Sequence, residues 1–114
     1  MKVALFIDLL GARRKWQEGG VVEAKRAFDR FTSMVISIAR KAPPGTILDG
    51  GIETDSAMLI CNDPVTALTL AQRLYRRAFQ NVRKPNAPRL WLRGSLVPFN
   101  NHTFIRQKKQ QIRH

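Results

Sequence analysis

The order of its apolar segments constrains the fold of this chain more than any other sequence feature. Residues 3–10, which are rich in β-branched and aromatic side chains, predict a buried strand. Across residues 21–41 apolar side chains recur every three or four positions, which predicts an amphipathic helix. The prolines in residues 42–45 would end this helix. Residues 11–15 predict a turn before it, followed by a break at the glycine pair at residues 19–20.

The second half of the sequence predicts three further strands and a second helix. Residues 46–61 predict two strands joined at residues 49–51, where the sequence Asp-Gly-Gly is a hairpin signal. Asp63 is suited to cap the second helix, and Pro64 to occupy its first position. The alternating residues 89–99 predict the last strand.

The predicted order of elements is strand, helix, strand, strand, helix, strand. This is the order of a ferredoxin-like α+β fold. In this βαββαβ arrangement both helices pack on one face of an antiparallel sheet. We expect a single domain over residues 1–99, followed by a basic polar tail at residues 100–114. The fold carries many unrelated functions, so function has to be argued from individual residues.

Net charge and cysteine content narrow the partners and the compartment. Twenty Lys and Arg against eight Asp and Glu give a net charge of +12, which favours anionic partners such as nucleotides, nucleic acids or acidic membranes. The single cysteine, Cys61, lies in an apolar run where a buried, unreactive thiol is expected. No apolar stretch reaches transmembrane length, and Asp8 interrupts the N-terminal run, unlike in a signal peptide. We expect a cytoplasmic protein.

Asp8 is the first candidate functional residue, because a carboxylate in a buried strand needs a positive partner. Asp55 follows the glycine pair and is expected to begin the next strand. If the two strands are antiparallel neighbours, the end of one lies beside the start of the other, so the two carboxylates converge. Neighbouring carboxylates repel until a cation bridges them, which predicts a divalent metal site. A structural role in a turn or cap stays open for each aspartate.

The segment after Asp8 adds a candidate phosphate site. Residues 9–14, Leu-Leu-Gly-Ala-Arg-Arg, would offer backbone N–H groups with basic side chains beside them. Such a loop, leading toward a helix, can cradle a polyphosphate.

Three short motifs, FIDLLGA, TDSAMLI and LRGSLVP, occur in the order and spacing of class III nucleotide cyclase catalytic domains. The chain resembles this family over residues 3–98 and, more narrowly, the bacterial pyrimidine cyclases of the Pycsar antiphage systems. The resemblance implies a second-messenger synthase that converts UTP or CTP to a 3′,5′-cyclic nucleotide and pyrophosphate. It also implies two Mg²⁺ or Mn²⁺ ions and a head-to-tail homodimer in which each active site is shared.

The same resemblance implies particular site residues. Asp8 and Asp55 match the metal-binding aspartates of the family, and Leu9 matches the position whose backbone carbonyl helps to hold a metal ion. The loop whose amides bind phosphate corresponds to Leu10, Gly11 and Ala12.

The sequence departs from the family at three places. Gly51 stands where purine cyclases commonly carry a lysine, and Thr54 stands where many relatives have Gly or Ser. The family domain continues beyond the LRG strand to a helix that supplies an Asn and an Arg, for which Arg106 is the one candidate by position. A truncated, inactive cyclase-like chain is therefore an alternative to an active one.

Two further functions fit parts of the sequence. A metal-dependent RNase of the PIN or NYN type begins with a similar strand and suits the net charge, but it needs a parallel sheet and more acidic residues. An RNA-binding module would place aromatic residues on its central strands, where Phe6 alone is available. Trp16 and Trp91 are expected in the core or in a dimer interface. A phosphate-binding patch or a solvated surface could be formed by Arg73, Arg76, Arg77, Arg83, Lys84, Arg89 and Arg93.

Overall fold

Pairing between strands that are distant in the chain organises the fold. The computed structural model describes residues 1–80 and 90–98, except for the side chains of residues 12–16, 18, 19 and 80. Its elements are, in chain order, β1 (Val3–Leu10), α1 (Ala12–Lys41), β2 (Ile47–Glu53), β3 (Ser56–Cys61), α2 (Pro64–Gln80) and β4 (Trp91–Pro98). These strands form one sheet in the order β2-β3-β1-β4, and all neighbours are antiparallel. This is the predicted ferredoxin-like α+β arrangement. The expected basic tail lies outside the described residues.

Alternation along β1 separates the two faces of the sheet. The odd-numbered residues from Val3 to Leu9 are buried in a core that they share with both helices. Phe31 of α1 and Leu74 of α2 are fully buried in the same core. Burying side chains of this size contributes about 1.5–3 kcal/mol each, so both helices are held on one face of the sheet.

The opposite face of the sheet has a smaller apolar cluster. Ala4, Met58 and Ile60 are buried there, and Phe6 packs against them. Asp8 continues this face toward the end of β1, because successive side chains of a strand point to opposite sides. The carboxylate therefore projects from the sheet on the side away from the helices.

The hairpin turn lies at Thr54-Asp55, and the prediction of a turn at Gly50-Gly51 is wrong. Both glycines lie within β2, and the pair Glu53 with Ser56 closes the hairpin. Thr54 has a positive φ of 21°, which suits a tight two-residue connection. Asp55 is consequently a turn residue and does not begin the next strand.

A close approach between strands explains the glycine at position 50. A Cβ added to Gly50 would lie 2.9 Å from Leu59 Cδ2 and 3.0 Å from the carbonyl oxygen of Met58. The pairing also shifts register between Ile47 and Asp49. Glycine inside a strand is typical of such irregular, tightly packed positions, so the Asp-Gly signal has a packing cause here instead of a turn.

Helix α1 begins much earlier than the apolar periodicity predicts. It starts at Ala12, directly after Gly11, whose φ of 73° lies in the left-handed region. The turn predicted over residues 12–15 is therefore wrong. The predicted glycine break is present as a local interruption, because Gly20 has non-helical angles of φ 79° and ψ −179°. Glycine adopts such angles without the steric penalty that other residues meet.

Helix α2 has the predicted start. The backbone N–H of Thr66 donates to Asp63 Oδ1 at 2.8 Å, which confirms Asp63 as the cap. Cys61, which precedes it, is fully buried, and burial first and the nearby Asp63 charge second raise the pKa of its thiol. The thiol therefore stays protonated near neutral pH, as expected for an unreactive core cysteine. No helix in the described part of the chain combines the length and apolarity needed to span a membrane.

The two adjacent glycines of β2 provide a matched test of this packing. We expect Gly50→Ala to lower the free energy of unfolding by about 1–3 kcal/mol, because the new methyl group overpacks Leu59 and the Met58 backbone. Gly51→Ala should be neutral or slightly stabilising, because nothing lies within 4 Å of its added Cβ. Urea denaturation of both variants measures the difference. Equal effects would contradict the register described for β2 and β3.

Candidate functional site

Asp8 lies in a row of directly paired residues that crosses the sheet near one edge. It is opposite Ser56 of β3 on one side and Arg93 of β4 on the other. Ser56 is in turn opposite Glu53 of β2. Directly paired residues of antiparallel strands project on the same face. The row Glu53, Ser56, Asp8 and Arg93 therefore places two carboxylates, a hydroxyl and a guanidinium on one surface.

Arg93 is the positive group that meets Asp8 in this structure. Its Nη2 atom donates to Asp8 Oδ2 at 3.3 Å, and the side chains are 70% and 46% exposed respectively. A single, long contact between exposed charges contributes about 0–1 kcal/mol, because water screens both groups. A ligand with higher charge can therefore displace Arg93 easily. The sequence marks Arg93 as a possible phosphate contact and holds no signal of its pairing with Asp8.

The hairpin turn comes within hydrogen-bonding distance of β1 beside Asp8. The backbone N–H of Leu9 donates to the carbonyl of Asp55 at 2.7 Å. The N–H and C=O groups of one residue in an antiparallel strand point toward the same neighbour, so the Leu9 carbonyl also lies on the hairpin side. Asp8, Leu9 and Asp55 are thus brought together at one edge of the sheet. The close approach of the two backbones is present, with Asp55 reaching it from the turn, and the convergence of the two carboxylates stays a prediction.

Glu53 lies too far away to complete a cluster of carboxylates. It is two strands away from Asp8, and neighbouring strands are about 4.7–4.9 Å apart. No group of three or more His, Cys, Asp or Glu residues within the described chain is close enough to hold a metal ion. The site therefore offers two aspartates and a backbone carbonyl.

This donor set fits a hard divalent cation that is only partly held by protein. Mg²⁺ prefers oxygen ligands and usually keeps one or two carboxylates, with water and substrate phosphate in the remaining positions. Both aspartates are accessible at this edge, since Asp8 is half-exposed and Asp55 is exposed. The assignment of Asp8, Leu9 and Asp55 as ligands stays a prediction.

The predicted phosphate-binding segment forms a strand-to-helix junction. Leu10 ends β1, Gly11 is the N-terminal cap residue of α1, and Ala12 is the first helical residue. The first amides of a helix have no partners within the helix and carry partial positive charge. These groups follow Asp8 by only a few residues, so an anion held there would lie near the carboxylates. The side chains of residues 13–15 lie outside the described part of the structure.

Comparisons with known proteins support the fold. No family model and no curated protein matches the sequence. The structure is similar to the active GGEEF domain of a diguanylate cyclase from Vibrio cholerae, with a TM-score of 0.67 and 10% identity over 89% of this chain and 64% of that chain. It is also similar to an EAL/GGDEF domain protein from M. capsulatus, with a TM-score of 0.62 and 14% identity over 83% of this chain and 61% of that chain.

At these identities the likeness establishes the fold alone. That fold, two helices on a four-stranded antiparallel sheet, is the ferredoxin-like α+β arrangement that the sequence predicts. This chain spans just under two thirds of the length of both structures.

Competition between Arg93 and a metal ion for Asp8 can be measured. We expect Arg93→Gln to tighten Mn²⁺ binding by up to about fivefold, which corresponds to removing an exposed ion pair of about 0–1 kcal/mol. Arg40→Gln is the matched control, because it also removes one positive charge. Arg40 lies in the last turn of α1, whereas the proposed site lies beside the first turn. Electron paramagnetic resonance of free Mn²⁺ gives both affinities. An equal gain in the two variants would show that Arg93 acts only through net charge.

Proposed function

We propose that this chain is a nucleotide cyclase domain that binds a nucleoside triphosphate and two divalent metal ions at the edge formed by Asp8, Leu9 and Asp55. The observation that carries the proposal is the hydrogen bond from the Leu9 amide to Asp55, which joins the end of β1 to the hairpin. The shared fold with a GGEEF domain and an EAL/GGDEF domain protein supports it. The order of the three sequence motifs supports it independently.

The reaction is an intramolecular displacement at phosphorus. The 3′-hydroxyl oxygen forms a bond to the α-phosphorus, and the bond from that phosphorus to the bridging β-phosphate oxygen breaks. Pyrophosphate leaves with the electron pair, and the hydroxyl proton passes to solvent. Bound metal ions would lower the pKa of the hydroxyl and stabilise charge on the phosphate that is attacked.

The residues of the chain would position the substrate for this step. Asp8 and Asp55 would hold the metal ions with their carboxylates, and Leu9 with its backbone carbonyl. Leu10, Gly11 and Ala12 would bind the terminal phosphates through backbone amides, and the left-handed conformation of Gly11 suits this junction. Once displaced from Asp8, the Arg93 guanidinium would be available to pair with a phosphate oxygen.

The choice of base and the biological role rest on the resemblance to pyrimidine cyclases. We therefore propose UTP or CTP as the substrate. The cyclic nucleotide product would serve as a second messenger in antiphage defence. Guanine nucleotides have to be tested beside them, because one structural neighbour is a diguanylate cyclase. A head-to-tail homodimer is part of the same proposal, since a second copy could cover the half-exposed carboxylate of Asp8.

An inactive cyclase-like module is the second candidate. The ion pair between Asp8 and Arg93 favours it, because a guanidinium already neutralises one proposed metal ligand. The PIN or NYN nuclease alternative is disfavoured, because all neighbouring strands of the described sheet are antiparallel.

Turnover of labelled nucleoside triphosphates with Mn²⁺ or Mg²⁺ tests the proposal. We expect one triphosphate to give a cyclic product and pyrophosphate, and Asp8→Ala or Asp55→Ala to lower the rate on the order of 100-fold or more, because metal ions supply several kcal/mol of stabilisation. Asp29→Ala is the control, since it removes an exposed carboxylate from the middle of α1.

Chromatography separates the possible results of this assay. A cyclic product whose formation needs Asp8 and Asp55 but not Asp29 supports the cyclase. Binding of the triphosphate with Mn²⁺ but without product would favour the inactive module. Metal-dependent cleavage of RNA in place of either would contradict both candidates.

A further inference from the structure

A basic groove lies between the C-terminal part of α1 and the outer side of α2. It encloses about 250 Å³ and is lined by Ile38, Lys41, Arg73, Arg76 and Arg77. Arg76 and Arg77 follow Arg73 by three and four residues, so the three arginines lie along one side of α2. Among the described residues that line the groove, four of five are therefore cations and none is acidic.

An aromatic groove adjoins the basic one. It encloses about 400 Å³ between α2 and the start of β4, and its walls include Tyr75, Phe79 and Trp91. Phe79 is 72% exposed and Trp91 is 58% exposed. Of the two expectations for Trp91, a core position is therefore wrong, and a dimer interface stays a prediction. Arg76 lines both grooves, which makes the cationic and aromatic surfaces continuous.

Exposed aromatic rings beside arginines favour one kind of anionic partner. Duplex nucleic acid is bound largely through phosphates, and its stacked bases leave exposed rings without a partner. A single strand offers both phosphates for the cations and unstacked bases for the rings. Arg73 and Phe79 are six residues apart on α2, or about 9 Å at 1.5 Å per residue. This distance exceeds the 3.4 Å between neighbouring nucleotides in one strand of a duplex, so a strand that contacts both residues spans more than one nucleotide.

We propose that the outer surface of α2 binds single-stranded nucleic acid, with phosphates along Lys41, Arg73 and Arg76 and bases stacked on Phe79 and Trp91. The net charge of +12 strengthens the attraction at long range. This activity does not depend on Asp8 or Asp55, so it stands or falls separately from the proposed cyclase reaction.

Fluorescence anisotropy with a short labelled oligouridylate tests the proposal over a range of salt concentrations. We expect Phe79→Ala and Trp91→Ala each to weaken binding about 5- to 100-fold, because each removes a stacking platform. Arg73→Gln/Arg76→Gln should weaken binding and reduce the salt slope by about 1.4, since each phosphate contact on a single strand contributes about 0.7. Circular dichroism checks that the variants stay folded.

Matched controls separate the groove from net charge. Lys25→Gln/Arg40→Gln removes two exposed charges from α1, and it should change affinity less than the α2 pair does. A duplex of the same length should bind more weakly and be insensitive to Phe79→Ala.

Three results would overturn the proposal. The first is no binding of the single strand at low salt. The second is equal binding of single strand and duplex, unaffected by Phe79→Ala or Trp91→Ala. The third is a Phe79→Ala variant that loses binding to vesicles of anionic lipid but keeps its binding to the oligonucleotide. This result would assign the surface to a membrane.

Discussion

Antiparallel pairing of β1 with β3 is the interaction on which the site and the fold both depend. It places β1 in the middle of the sheet, so that its odd-numbered residues complete the helix-packed core and Asp8 projects from the other face. A slip of one residue would exchange these faces, exposing apolar side chains and burying the carboxylate. The bond from the Leu9 amide to the Asp55 carbonyl extends the same register into the turn. Core burial and site geometry are therefore set together.

The second constraint is electrostatic. In a chain with a net charge of +12, Asp8 and the turn that carries Asp55 lie at one sheet edge, and a guanidinium contacts Asp8. Exposure keeps this ion pair weak. A divalent ion bound together with a triphosphate brings more charge and more oxygen ligands to the same place. Under the proposed function, Arg93 would pair with Asp8 in the absence of ligand and with phosphate in its presence.

Much of the fold follows from local sequence patterns, whereas the details of the site depend on long-range pairing. The run of residues 3–10 and the cap at Asp63 are local signals, and both predict the observed elements. The sequence Asp-Gly-Gly is typical of a hairpin turn, so the sequence predicts the turn at residues 49–51. In the structure Gly50 lies within β2, where a close contact with β3 requires a glycine. Arg93 is 85 residues away from Asp8 in the chain, so no local pattern indicates their contact. The start of α1 was missed because its first turns lack an apolar stripe.

The most direct test of the metal and nucleotide site is a crystal structure with Mn²⁺ and a nucleoside triphosphate analogue whose bridge between the α- and β-phosphates cannot be cleaved. Anomalous scattering locates manganese without relying on activity. We expect anomalous density between the carboxylates of Asp8 and Asp55, with the phosphates at the start of α1 and Arg93 moved away from Asp8. Density elsewhere, or none, with Arg93 still bound to Asp8, would contradict the proposed site.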